Sequence, residues 1–222
     1  MYKKLYLFVL IAVLTAGFVQ AQITLGGRAG LSFTNMSVKY DGKKPDKEDR
    51  GKLKPGFQMG VTGEYVLNSE FSVQSGLIFA TQGLRYESSG DDWGLTYDTK
   101  TKMNISYLQI PINALYQMDM DDLKLVLMAG PYFGFALSGK TQTKGTYDGQ
   151  PIDSGEKIEF GSKMGQLKRL DFGVGLSIGL QFGDIRAGIG YQFGMMNLSN
   201  FDKTSQKNNG LTLSVTYLFG IL

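Results

Sequence analysis

Histidine and cysteine are both absent from the 222-residue chain. Without cysteine there is no disulfide framework and no thiolate chemistry. Without histidine the chain lacks the usual general base and the commonest transition-metal ligand. Proline is scarce, with five residues. Long apolar runs are missing too. Beyond the first 21 residues nothing approaches the ~20 apolar residues that a transmembrane helix needs. Neither sign of charge dominates, with 23 Lys and Arg against 20 Asp and Glu. A concentrated basic face for nucleic acid is therefore not expected. Acidic pairs such as Asp91-Asp92 fall in polar stretches, where a solvated surface is the plain reading. These absences leave no expected catalytic residue, metal site or cofactor, and the chain reads as a non-enzyme.

What is present is glycine, phenylalanine and tyrosine, at 30, 14 and 12 residues. Their arrangement is clearest in LDFGVGLSIGLQFGDIRAGIGYQF, residues Leu170 to Phe193. Leu170, Phe172, Val174, Leu176, Ile178, Leu180 and Phe182 take one face, and Asp171, Gly173, Gly175, Ser177, Gly179 and Gln181 take the other. After Gly183-Asp184 the alternation resumes with Ile185, Ala187, Ile189, Tyr191 and Phe193. A period of two predicts strands, and the Gly-Asp pair predicts a hairpin turn. Runs of this length suit tilted strands crossing a bilayer, which take ~9–11 residues.

The same pattern predicts strands near 23–33, 56–67, 102–118, 123–138 and 210–219, with another starting at Phe71. That makes eight. Connections alternate long and short, and both termini fall on the short-turn side. Transmembrane barrels carry this asymmetry, with short periplasmic turns and longer outer loops. The apolar face is too crowded with large side chains for an eight-stranded interior, which side chains only just fill. The polar face is rich in glycine and poor in charge, as a narrow lumen requires. Tyr65, Phe71, Tyr116, Phe182, Tyr217 and Phe219 sit near the short turns, and Phe33, Phe57, Phe79, Phe133, Phe172 and Phe193 near the long loops. They predict two aromatic girdles. Closure follows because an open sheet edge in lipid has no water to bond. The expected fold is thus all-β: an eight-stranded antiparallel up-and-down transmembrane β-barrel over residues 22–222.

Residues 1–21 are read as a cleaved signal peptide. Lys3 and Lys4 precede an apolar stretch, and Val19-Gln20-Ala21 suits a cleavage site. The expected address is the bacterial outer membrane, with both termini periplasmic.

The lumen-facing charges are Arg28, Glu64, Lys124, Arg169, Asp171 and Arg186. Unpaired charge in a narrow interior is costly, so they are expected to form a structural network that plugs the barrel. Counting from the short turns predicts an Arg28–Glu64 pair, Lys124 and Arg186 near the periplasmic mouth, and Arg169 and Asp171 near the outer mouth. Pro111 and Pro131 lack the ladder donor and predict a bulge or weakened seam between two strands. The segments 39–55 and 140–166 are read as loops that face partners. The first carries seven basic and four acidic residues in KYDGKKPDKEDRGKLKP, which suits solvent or an anionic lipopolysaccharide.

The pieces SYLQIPINALY, AGPYFGFALSGK and LDFGVGLSIGLQFGDIRAGIGYQFGMMNLS resemble the small outer-membrane β-barrel family of Bacteroidetes, whose members are often labelled porin-family or PorT-like. The resemblance implies an eight-stranded outer-membrane barrel, with lipid and lipopolysaccharide around it and other envelope proteins as possible partners. It implies no particular activity. The roles in order are a structural or interaction barrel, a narrow channel for small solutes, and, disfavoured by the missing histidine, an outer-membrane enzyme.

Overall fold

A computed structural model describes residues 23–43, 51–92 and 95–221. The expected signal peptide and residues 44–50 of the first long loop lie outside the described residues, as does Trp93. Among the described residues no helix is long and apolar enough to cross a membrane.

Nine strands follow one another: β1 (Ile23–Tyr40), β2 (Lys54–Val66), β3 (Phe71–Asp92), β4 (Leu95–Met120), β5 (Leu123–Tyr147), β6 (Gln150–Lys157), β7 (Leu170–Phe182), β8 (Ile185–Gly194) and β9 (Thr204–Ile221). Every pairing is antiparallel. Eight of the strands close a ring, because β1 pairs with β9 and β4 with β5, while β5 turns onto β7. The ninth, β6, pairs only with the far half of β5, Lys140 to Tyr147. The expected eight-stranded barrel is the ring, and β6 is an addition to it.

Alternation decides which face is which. Leu31, Val61, Ile112, Phe133, Leu176, Ile178, Ile189 and Val215 all point outward and are 44–62% exposed. On the same strands Ser32, Thr62, Gln74, Gln109, Asp171 and Thr216 point inward and are buried. The apolar side chains thus form a belt around the outside, which only an apolar solvent would match. Aromatic pairs cross between neighbouring strands within the belt. Phe71 stacks on Tyr116 near the short turns, and Phe57 on Phe79 and Phe133 on Phe172 near the long-loop end, at ring separations of 5.1, 5.8 and 5.2 Å. The turn at Gly183 has φ +53°, a backbone that glycine adopts without strain.

The wall is uneven in height. β3, β4 and β5 run for 22, 26 and 25 residues, whereas β7 and β8 run for 13 and 10. The start of the expected 140–166 loop is instead paired strand, Lys140 to Tyr147 against β6, and the polar stretch before it pairs too, Tyr86 to Asp92 against Leu95 to Thr101. With β6 they form an arm that rises beyond the belt.

The proline seam is present in part. Between β4 and β5 the ladder is unbroken in register but lapses at Ile112 and Asn113, opposite Pro131 and Gly130. A second lapse lies beside Pro111 on the β3 side, where Ser75 Oγ donates to the Pro111 carbonyl at 2.9 Å. No register shift accompanies either lapse, so the seam is weakened without a bulge. The one shift on this pair lies higher, between Ser106 and Tyr107.

Candidate functional site

The lumen is filled in layers. Nearest the short turns, Glu64 of β2 meets Arg186 of β8 across the interior at 2.9 Å, both side chains almost fully buried. Arg186 also donates through Nε and Nη2 to Gln181 Oε1, at 3.0 and 2.8 Å. Gln117 Nε2 donates to Glu64 Oε1 at 2.7 Å, and Gln74 Nε2 approaches Oε2 at 3.4 Å. All three guanidinium nitrogens and both carboxylate oxygens of this ion pair are therefore engaged. The β4–β5 side of the same level is apolar, with Leu115, Val126 and Met128.

The expected Arg28–Glu64 pair does not form. Register sets Thr24 opposite Glu64 and Arg28 opposite Gly60, four residues higher. At ~3.3 Å per residue the two side chains start about 13 Å apart along the strand. Arg28 Nη2 donates to Ser214 Oγ at 3.1 Å instead. Arg28 lines a mid-lumen cavity of about 40 Å³ together with Gln58, Gln109, Tyr132, Ser177 and Gln192.

Above the cavity, Asp171 is buried in a neutral setting. Asn208 Nδ2 donates to its Oδ2 at 2.9 Å and to Tyr107 Oη at 3.2 Å, and the Tyr132 hydroxyl stands 3.5 Å from the same carboxylate oxygen. Gly173 makes room for this arrangement: a Cβ there would stand 2.6 Å from the Tyr132 ring. The lumen is then capped by apolar side chains. Met36, Ile105, Tyr107, Ala136, Leu167 and Leu198 form one buried cluster. Leu167 and Leu198 come from the connections before β7 and β9, tied together by the Lys168 amide on the Leu198 carbonyl at 2.8 Å.

Two of the expected lumen charges stand apart from this interior. Lys124 sits at the rim and pairs with Asp119 at 3.3 Å, both largely exposed. Arg169 precedes β7 and is exposed, with its guanidinium over the Phe135 and Phe160 rings at 5.6 and 5.3 Å. Residue parity placed both inside: Lys124 keeps that parity at the short-turn mouth, whereas Arg169, just ahead of its strand, turns its side chain out over Phe135. The groups that complete the lumen, Gln74, Gln117, Gln181 and Tyr132, all carry the inward parity. Asn208 comes from a segment with no apolar alternation to mark it.

The arm has its own chemistry. Leu84 and Met103 turn toward the apolar cap, so Arg85, Glu87, Lys100 and Lys102 lie on the opposite, outward face. Register places Arg85 beside Lys102, Lys100 beside Lys144, and Lys140 beside Lys157 on that face. Lys52 joins it through a bridge to Arg85. The carboxylates among them are Glu87 and Asp153, with Asp91 and Asp98 further out toward the tip. The Glu87 carboxyl is held below its usual range by the Lys52 ammonium, which donates to it, and more weakly by Arg85 and Lys100. Lys144 does the same for Asp153 at 2.9 Å. Among the described residues no group of three or more Asp and Glu stands together to hold a metal ion.

An antiparallel ring with an apolar outer belt and a polar, side-chain-filled lumen defines a bacterial outer-membrane β-barrel. A family model for the outer membrane protein beta-barrel domain matches residues 18–200, and the chain belongs to that family. Similar solved structures include Ail, the attachment invasion locus protein of Yersinia pestis, at 16% identity over 90% of this chain and 100% of that one, with a TM-score of 0.38. Neisserial surface protein A is 14% identical over 87% and 96%, with a TM-score of 0.41. An outer membrane channel from Pseudomonas putida F1 is 10% identical over 90% and 97%, with a TM-score of 0.34. No curated protein matches the chain.

Proposed function

We propose that this protein is a structural and interaction barrel of the outer membrane, not an enzyme and not a channel. Its termini face the periplasm, and the β3–β6 arm meets the partner. The observation that carries the reading is the outward face of the arm. It continues the lipid-facing side of β3, β4 and β5 upward, and it changes there from Leu108, Phe135 and Leu137 to Lys102, Lys140 and Lys157. A basic face directly above an apolar belt suits the phosphates of lipopolysaccharide or an acidic surface of another envelope protein. The narrower likeness to the porin-family, PorT-like barrels of Bacteroidetes belongs to the same proposal. The layered lumen supports the case against conduction, since the Glu64–Arg186 layer and the apolar cap stand at its two ends.

The test is affinity capture of the tagged chain from gently solubilised outer membrane. The comparison is a variant with Lys100, Lys102, Lys140 and Lys144 changed to Gln. Lipopolysaccharide or a stoichiometric protein should accompany the parent and fall at least several-fold with the variant. Equal recovery would sink the arm as the partner-facing element. Discrete single-channel steps from the purified barrel in a planar bilayer would turn the reading to a channel.

A further inference from the structure

We infer that the mid-lumen cavity is a binding site for a monovalent anion of halide size, with Arg28 as its cation. This goes beyond the interaction role and rests on different residues. Arginine does not shed its proton inside a protein, so a shielded guanidinium must find negative charge or solvent. The described lumen holds two carboxylates, and both are committed elsewhere. Glu64 is taken by Arg186, Gln117 and Gln74. Asp171 is held by Asn208 and Tyr132 and does not line the cavity. The Arg186 guanidinium, nearer the short turns, is already matched by Glu64 and leaves no negative charge over for Arg28. Arg28 is left with one hydrogen bond among the described residues, to the neutral Ser214 hydroxyl.

The neighbouring groups point the same way. Arg28 Nε, Gln58 Nε2 and Gln109 Nε2 are buried donors with no acceptor. All three residues line the cavity. The amide of Gln109 is the open end of a relay. Gln82 Nε2 donates to Gln192 Oε1 at 3.1 Å, and Gln192 Nε2 to Gln109 Oε1 at 3.4 Å. In that order the Gln109 oxygen accepts, which leaves its N–H₂ without a protein acceptor beside the cavity. A buried donor without an acceptor is costly, and the guanidinium's own unmet Nε together with two unmet amide donors makes a receptor for an acceptor that carries charge. The space of about 40 Å³ exceeds the ~10–15 Å³ that one water needs. It admits a chloride ion. Water alone would satisfy the donors and leave the guanidinium without a counter-charge.

The experiment uses the full barrel refolded in detergent, unfolded by heat in sodium chloride and in sodium gluconate at equal ionic strength. A resident anion stabilises the state that binds it. The midpoint should therefore rise saturably by about 3 °C as chloride replaces gluconate, and bromide should reproduce the rise. Arg28→Gln should abolish it, and Gln109→Leu should shift its half-saturation to higher chloride. If Arg28→Gln does not refold, chloride-35 line broadening on the parent protein decides: saturable broadening above the detergent blank supports the site. Equal midpoints in the two salts, a rise that survives Arg28→Gln, or no broadening would each overturn it.

Discussion

The two halves of the lumen deal with buried charge differently. Near the short turns Glu64 and Arg186 form a closed unit with Gln181, Gln117 and Gln74. Further up, Arg28 and Asp171 each sit without an opposite charge, and the unmet groups separate by type. Around Arg28 they are mainly donors, at Gln58 and Gln109; around Asp171 they are acceptors, Asp171 Oδ1 and Asn208 Oδ1. A narrow barrel interior thus tolerates charge either by direct pairing or by polar neighbours that invite a small guest. The contrast is one of geometry, since strand tilt carries Arg186 across to Glu64 but leaves Arg28 four residues out of register with it.

The largest effect should come from breaking the closed unit. Arg186→Met leaves Glu64 buried with no cation, and removal of one partner of such a pair costs about 3–5 kcal/mol. Urea unfolding in lipid vesicles, followed by circular dichroism, would measure it. The double change Arg186→Met with Glu64→Gln should recover much of that loss. If Arg28→Met in gluconate costs as much as Arg186→Met, the distinction between the two halves fails.

A smaller effect is expected above the cavity. Asn208→Ala removes the amide that donates to Asp171 at 2.9 Å and should cost about 1–3 kcal/mol. Asp171→Asn removes a charge that has no cation and offers an amide near the unmet Asn208 oxygen. It should change stability by less than about 1 kcal/mol, in either direction. A loss from Asp171→Asn comparable with that from Arg186→Met would show that Asp171 has a cationic partner after all. At the rim, Lys124→Met should leave stability within about 0.5 kcal/mol, because its ion pair with Asp119 is solvated.

Strand number, closure and the in-or-out sense of most side chains were legible in the sequence, because lipid outside and a packed lumen inside impose a strict period of two. Pairing across the lumen was not, since register and tilt belong to the whole ring and not to any one strand. The arm was hidden for another reason. Tyr86 to Thr101 carries polar residues on both faces, so its strands rest on backbone pairing and leave no apolar stripe to read. Leu167 and Leu198 close the top of the lumen from segments that look like plain loops. Single apolar residues in a connection give no periodic signal at all.

The last contrast sets the buried Glu64–Arg186 pair against the exposed Lys52–Glu87 pair on the arm. Glu87 has its folded pKa lowered, first by the hydrogen bond from Lys52. A carboxylate shifted this way stabilises the fold at pH values above its unfolded pKa of about 4.3. That contribution is lost as the pH falls from there through the lower folded value, so the arm should loosen in acid and not in base. Because the group is open to water, the effect should be small and should shrink in salt, with screening over about 3 Å at 1 M. Carbon NMR titration of Glu87 would check it. Its midpoint should rise toward the ordinary glutamate value in Lys52→Met and in high salt. The Glu64–Arg186 pair, shut away from ions, should be indifferent to the same salt. A Glu87 midpoint that ignores both Lys52 and salt would mean that the arm holds its shape by backbone pairing alone.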